Sequence, residues 1–107
     1  MKAEDRLLEL LEGYAPPMLL ALSGEPDCAA VYRLEKHRDI MESGKVVLRY
    51  NLYQVMLYQM TYDGTLAERV IADARARGMA VTRAGQSFDN GYYIDCIRIE
   101  IQEEMST

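Results

Sequence analysis

The order of patterns along this chain predicts an α+β fold. It reads as a single domain with a mixed or largely antiparallel sheet and two helices packed mainly on one face. Three observations predict it. Lys45–Met60, KVVLRYNLYQVMLYQM, alternates apolar and aromatic side chains over both faces of one very long strand, where about 3–10 residues is usual. Ala3–Glu12 and Leu66–Arg77 carry apolar residues at helical spacing. The strand patterns outnumber these helices, and no glycine-rich first turn is present, so a doubly wound nucleotide-binding domain is disfavoured.

The 107 residues suit one domain, residues 1–107, able to bury a core without staples. A hydrophobic share of 50% with only 3 Pro excludes global disorder. The net charge of -5, from 17 acidic and 12 basic residues well mixed along the chain, lacks the positive field that captures nucleic acid nonspecifically. The densest basic group is Arg33, Lys36, His37 and Arg38. It is interrupted by Glu35, followed by Asp39, and reads first as a mixed solvated face. The opening MKAEDRLLELL lacks the basic-then-apolar order of a secretion signal, and no apolar run reaches the roughly 18 residues of a membrane span. Synthesis in the cytoplasm and no membrane partner are therefore expected.

Each element has its own warrant. In the first helix Leu7, Leu8, Leu10 and Leu11 form the apolar stripe, with Glu4 and Asp5 near the positive helix end. Gly13 suits its C-terminus, and Pro16 and Pro17 bar continuation. Met18–Leu22 is a short strand and Ser23–Asp27 a turn. Cys28–Glu35 is a strand with Cys28, Ala30, Tyr32 and Leu34 on one face. Lys36–Gly44, KHRDIMESG, reads as a polar connection anchored by Ile40 and Met41. In the long strand Val55 and Leu57 face a helix, while Tyr50, Met56 and Tyr58 lie on the opposite face, with Arg49 and Asn51 marking a bend or bulge. Asp63 or Thr65 caps the second helix, whose Leu66, Ala67, Val70, Ile71 and Ala74 form a narrow apolar face ended by Gly78. Met79–Ala84 is a short strand, Gly85–Gly91 a connection turning at Asp89-Asn90-Gly91, and Tyr92–Gln102 the last strand. Residues 103–107 read as a frayed tail.

The chemistry-bearing residues do not assemble into a catalytic pattern. His37 is the only histidine and its neighbours Glu35, Asp39 and Glu42 lack zinc-ligand spacing, so they read as ordinary loop residues. Cys28 and Cys96 belong to no CxxC and sit inside strand patterns, as buried free thiols do. Gly85–Gly91 matches neither phosphate-loop order. No GxSxG elbow is present. No catalytic residue, metal or cofactor is expected. Of the 8 tyrosines, Tyr50, Tyr53, Tyr58 and Tyr62 cluster near the long strand and Tyr92 and Tyr93 begin the last one, a distribution that suits core and protein-interface use. Stacking on nucleic-acid bases would call for a basic groove beside them.

Taken together, AVYRLE at Ala30–Glu35, RYNLYQVMLY at Arg49–Tyr58, the Leu66–Gly78 helix and GYYIDCIRIEI at Gly91–Ile101 resemble small head–tail connector proteins of tailed phages and prophages. The closest likeness is to tail-completion or tail-terminator proteins, and it covers most of the chain. It implies a compact subunit of a homo-oligomeric ring, commonly hexameric, at the head-proximal end of the tail. Such a ring meets the major tail-tube protein and the head connector, without covalent chemistry or sequence-specific reading of the DNA that passes through it. It implies residence in the bacterial cytoplasm during assembly and in the virion neck afterwards. Tyr50, Tyr53, Met56 and Tyr58 match the family's long-strand region and are the interface candidates. Arg33, Lys36, His37 and Arg38 join them, at the strand end and in the polar segment. A different neck or adaptor protein is the neighbouring reading. A small-ligand or regulatory module, with its site between Lys36–Gly44 and Gly85–Gly91, is the alternative from another class.

Overall fold

A computed structural model describes residues 2–105. The elements run α1 (Ala3–Leu11), β1 (Pro17–Leu19), β2 (Cys28–Glu42), β3 (Lys45–Gln59), α2 (Leu66–Ala76), β4 (Ala80–Asp89) and β5 (Tyr92–Glu104). The strands form one mixed sheet in the order β1-β2-β3-β5-β4. Only β1 and β2 are parallel; the other three pairings are antiparallel. This is the expected single α+β domain.

Pairing register decides which face each side chain takes. Tyr32 lies opposite Val55, Val55 opposite Ile97, and Ile99 opposite Val81. These side chains point to one face and meet both helices. Leu7, Leu10 and Leu11 of α1 and Leu66, Ala67, Val70 and Ala74 of α2 join Tyr53, Val55, Leu57, Ile97, Ile99 and Ile101 in the core. The small alanines let α2 approach the sheet closely, and fully burying each large apolar side chain contributes roughly 1.5–3 kcal/mol.

Polar contacts fix the helices at their ends. Lys2, which precedes α1, gives no side-chain cap. The Ala3 N–H donates instead to Glu103 of β5, at 2.6 Å, and that carboxylate also suits the positive helix end. The Tyr14 hydroxyl donates to Asp73 of α2 at 2.9 Å, and Tyr32 donates to Glu4 at 3.1 Å. Ahead of α2, Asp63 accepts from the Thr65 N–H at 2.9 Å and from its hydroxyl at 2.7 Å. Asp73 of α2 pairs with Arg77, four residues on, at 2.9 Å.

Four boundaries differ from expectation. Lys36–Gly44 is not a connection, because β2 continues to Glu42. One residue, Glu35, is extra between Leu34, opposite Tyr53, and Lys36, opposite Leu52. This bulge shifts the alternation by one residue, so a strand reads as broken in sequence. The turn shrinks to Ser43 and Gly44, with φ of 51° and 77°, the two positive values that a tight hairpin with right-handed twist requires. Gly85–Gly91 is likewise mostly strand. β4 runs to Asp89 past an extra residue, Ala84, and turns at Asn90 and Gly91, with φ of 50° and 84°. The first strand is Pro17–Leu19 rather than Met18–Leu22, because Leu20 leaves extended geometry at φ 70°. The tail expected at 103–107 is strand through Glu104, which pairs with Leu48. Residues 106 and 107 lie outside the described residues.

Ile99→Ala, at 0% exposure, is expected to lower the unfolding free energy by about 2–5 kcal/mol in urea titration. Leu34→Ala, at 47% exposure, is expected to lower it by about 1 kcal/mol or less. Glu103→Ala removes the partner of the Ala3 N–H and is expected to cost about 0.5–2 kcal/mol, read in the same titration.

Candidate protein interface

The face of the sheet turned away from the helices is the candidate site. Along β3 it presents Leu48, Tyr50, Leu52, Gln54, Met56 and Tyr58, all half-buried. Adjacent strands screen these side chains partly, yet no helix lies over them. The same alternation that sends Val55 and Leu57 into the core sends this set outward.

A polar ladder crosses the middle of this face. Arg33 Nε donates to Gln54 Oε1 at 2.7 Å, and Gln54 Nε2 donates to Cys96 Sγ at 3.4 Å. Beside it Arg98 of β5 reaches across β3 to the bulged residue Glu35, at 3.2 Å. Aromatic contacts flank the ladder. Toward the β2–β3 turn the Arg38 guanidinium sits 4.6 Å from the Tyr50 ring centre, in cation–π range. Toward the other end Tyr58 and Tyr92 meet edge to face at 5.6 Å. The Tyr92 hydroxyl donates to the Pro26 carbonyl at 2.8 Å and so ties the loop before β2 to the sheet. A shallow recess of about 210 Å³ is lined by Lys36, His37, Arg38, Tyr50, Leu52 and Glu100.

The interface candidates thus fall in different places. Tyr50, Met56, Tyr58, Arg33, Lys36 and Arg38 share the uncovered face. Tyr53 does not: it lies opposite Leu34 on the helix side, is 6% exposed and belongs to the core. Its odd number on β3 already set it apart from Tyr50, Met56 and Tyr58. His37 lies opposite Asn51, on the helix side of the arm beyond the helices. Its Nδ1 is 3.5 Å from Asp39, which holds Arg49 through two bonds of 2.6 and 3.0 Å. The hydrogen bond from Arg49 holds the Asp39 carboxyl below its ordinary range.

Further exposed apolar groups lie elsewhere and belong to no sequence motif. Tyr62, Phe88 and Tyr93 cluster at the β4–β5 end, with ring centres 5.3 Å apart for Tyr62–Tyr93 and 4.9 Å for Phe88–Tyr93. Phe88 is 62% exposed. The signal that could have found it is the two-residue Asn90-Gly91 turn, which implies that alternation continues back through Phe88. Next to this cluster an open recess of about 660 Å³ is lined by Tyr62, Gly64, Glu68 and Arg83–Gln86. Buried Asp95 lies nearby and accepts from Gln86 at 2.7 Å and Arg83 at 3.5 Å. The ligand site expected between Lys36–Gly44 and Gly85–Gly91 does not form, because β3 and β5 separate those two strands. Among the described residues no helix is long and apolar enough to cross a membrane.

Comparison with protein-family models and with curated proteins finds no match for this chain.

Two core tyrosines on the opposite, helix side give the fold a pH signature. Burial, reinforced by the Glu4 and Glu103 charges, pushes the Tyr53 hydroxyl up to about 12. Burial and the hydrogen bond to Glu4 raise Tyr32 as well. A phenol kept neutral in the fold stabilises fully below its unfolded value, 10.0, and that contribution is lost as pH rises from there through the folded value. Stability measured by urea unfolding is therefore expected to fall above about pH 10, and Tyr53→Phe is expected to flatten that fall. Ultraviolet titration should show a late-ionising phenol in the wild type that is lost in Tyr53→Phe.

Proposed function

We propose that this chain is a structural assembly subunit, a tail-completion or tail-terminator protein of a tailed phage or prophage. In this reading copies associate at the head-proximal end of the tail, finish the tube and present a surface to the head connector. The observation that carries the reading is the uncovered sheet face on an elongated subunit. Strands of 15 residues carry Tyr50, Met56 and Tyr58 on a side that no helix covers. Neighbouring subunits can bury such a face without any chemistry being performed. Tyrosine and arginine in contact, as at Tyr50 and Arg38, are the residue types that concentrate binding energy at interfaces. The choice of phage family rests on the sequence resemblance of Ala30–Glu35, Arg49–Tyr58 and Gly91–Ile101. A neck or adaptor protein shares the physical requirements.

This role needs no cofactor and no catalytic residue. DNA passes through the assembled ring without being read, and the net charge of -5 limits its adhesion to the protein. The subunit works in the bacterial cytoplasm during assembly and in the virion neck afterwards.

Light scattering across a wide range of protein concentration tests the proposal. The expected outcome is a closed multiple of the subunit mass, formed alone or on adding a major tail-tube protein. A strictly monomeric chain that ignores the tube protein would sink it. Tyr50→Ala and Tyr58→Ala, on the uncovered face, are each expected to weaken binding of the tube protein by about tenfold or more, with the melting curve little changed.

A further inference from the structure

Both edges of the sheet carry long unpaired strands, and the two edges match. β1 covers the outer edge of β2 only at Ala30–Tyr32, followed by a last bond from the Leu20 N–H to the Tyr32 carbonyl at 2.9 Å. Among the described residues no strand pairs with that edge from Arg33 to Glu42, or with the outer edge of β4, Ala80–Asp89. The two free edges have the same length. Strand direction alternates from β2 through β3 and β5 to β4, so β4 of one copy set against β2 of the next forms an antiparallel pair with the same face outward.

We propose that copies of this chain join edge to edge, β4 of one adding to the Arg33–Glu42 edge of β2 in the next. The proposal rests on the assembly reading above and names its contact. An open edge is a template for strand addition, and the bulges and charges that guard it against indiscriminate pairing also select one register.

That register follows from the backbone. The Ala30 N–H bonds to the Pro16 carbonyl and the Tyr32 carbonyl accepts from Leu20, so residues of this parity, Leu34 included, turn outward. Past the extra residue Glu35 the outward set becomes His37 and Asp39. Carrying the alternation across β3 and β5 makes Phe88, Gln86 and, past the extra residue Ala84, Arg83 the outward set of β4. With Phe88 opposite Leu34, outward groups meet along the edge. Side chains then match too. Phe88 and Leu34, exposed by 62% and 47%, cover each other on the helix side. Asp89 faces Arg33 on the other side, and Arg83 faces Asp39. Sliding by two residues either way breaks the apolar pair and the Arg83–Asp39 pair.

The contact moves β4 from the level of Cys28 to that of Leu34 along the strands, about 20 Å at roughly 3.3 Å per residue. Four strands span about 19 Å at roughly 4.8 Å each. The offset corresponds to a strand tilt of about 45°, at the upper end of the roughly 35–45° of closed barrels. Repetition of this contact is thus compatible with closure.

Cross-linking tests it. Arg33→Cys and Asp89→Cys are made in separate chains, each also carrying Cys28→Ala and Cys96→Ala, and are oxidised alone and mixed. A disulfide-linked dimer is expected only in the mixture, since directly opposed residues lie about 4.5–5.5 Å apart, within disulfide range. No cross-link in the mixture, or efficient cross-linking of either variant alone, overturns the proposal. Phe88→Ala in the natural background is a second measurement. Association by light scattering is expected to weaken about tenfold with an unchanged circular dichroism spectrum, and unchanged association overturns the proposal. A chain that assembles without the mixed cross-link loses the edge contact but keeps the assembly role. One that cross-links yet never joins the tail tube loses the phage role alone.

Discussion

A mismatch of lengths governs this molecule. β2 and β3 each have 15 residues, about 50 Å at roughly 3.3 Å per residue, close to the longest dimension of 51 Å. The helices have 9 and 11 residues, only about 14 and 17 Å at roughly 1.5 Å per residue. The helix layer therefore covers one sheet face only from about the level of Asn51 of β3 onward, leaving the β2–β3 arm bare. The fully buried residues concentrate there, from Leu7 and Leu10 through Val55 to Ile99. The radius of gyration, 14.7 Å, exceeds the roughly 13 Å of a compact chain of this size. Large apolar groups left at the periphery, such as Met41 and Phe88, follow from the same shortfall.

Beyond the helices the arm is held by different forces. Asp39 with Arg49, and Arg38 over Tyr50, replace apolar burial there. Exposed ion pairs contribute little individually and weaken with salt. The core end is stabilised by the hydrophobic effect, while the arm depends on its two-residue turn and cross-strand pairs. Local opening is accordingly easiest at the arm, where a contact with another chain supplies the missing burial.

Sequence alone made much of this architecture readable. Helical stripes at Leu7–Leu11 and Leu66–Ala74 were strong because each meets a continuous apolar sheet face. β3 was clear because its alternation runs unbroken from Leu48 to Gln59, its one extra residue, Val47, falling close to the turn. β2 and β4 were cut short for a common reason: Glu35 and Ala84 each insert one residue, and a one-residue slip swaps every later side chain between faces. After the slip, Lys36, Arg38 and Gln86 look like loop residues. Part of the candidate face followed from parity, which assigns Tyr50, Met56 and Tyr58 to one side. The same parity places Tyr53 on the other, beneath the helices. Phe88 was hidden because it lies past the extra residue Ala84, on an edge strand whose outer part carries no apolar alternation.

The sheet order has a consequence for how the chain is made. Among the described residues β5 is the last element in sequence, yet it lies inside the sheet, between β3 and β4, and its Glu103 receives the N–H of Ala3. On the ribosome, α1 and the β2–β3 hairpin emerge well before the strand that completes their core. Local hairpins can form early, but the helices have no finished surface to dock on until nearly the whole described chain is out. During that interval both strands of the hairpin are open to other nascent chains. Neighbouring ribosomes on one message would then bring copies together before any of them has closed its fold.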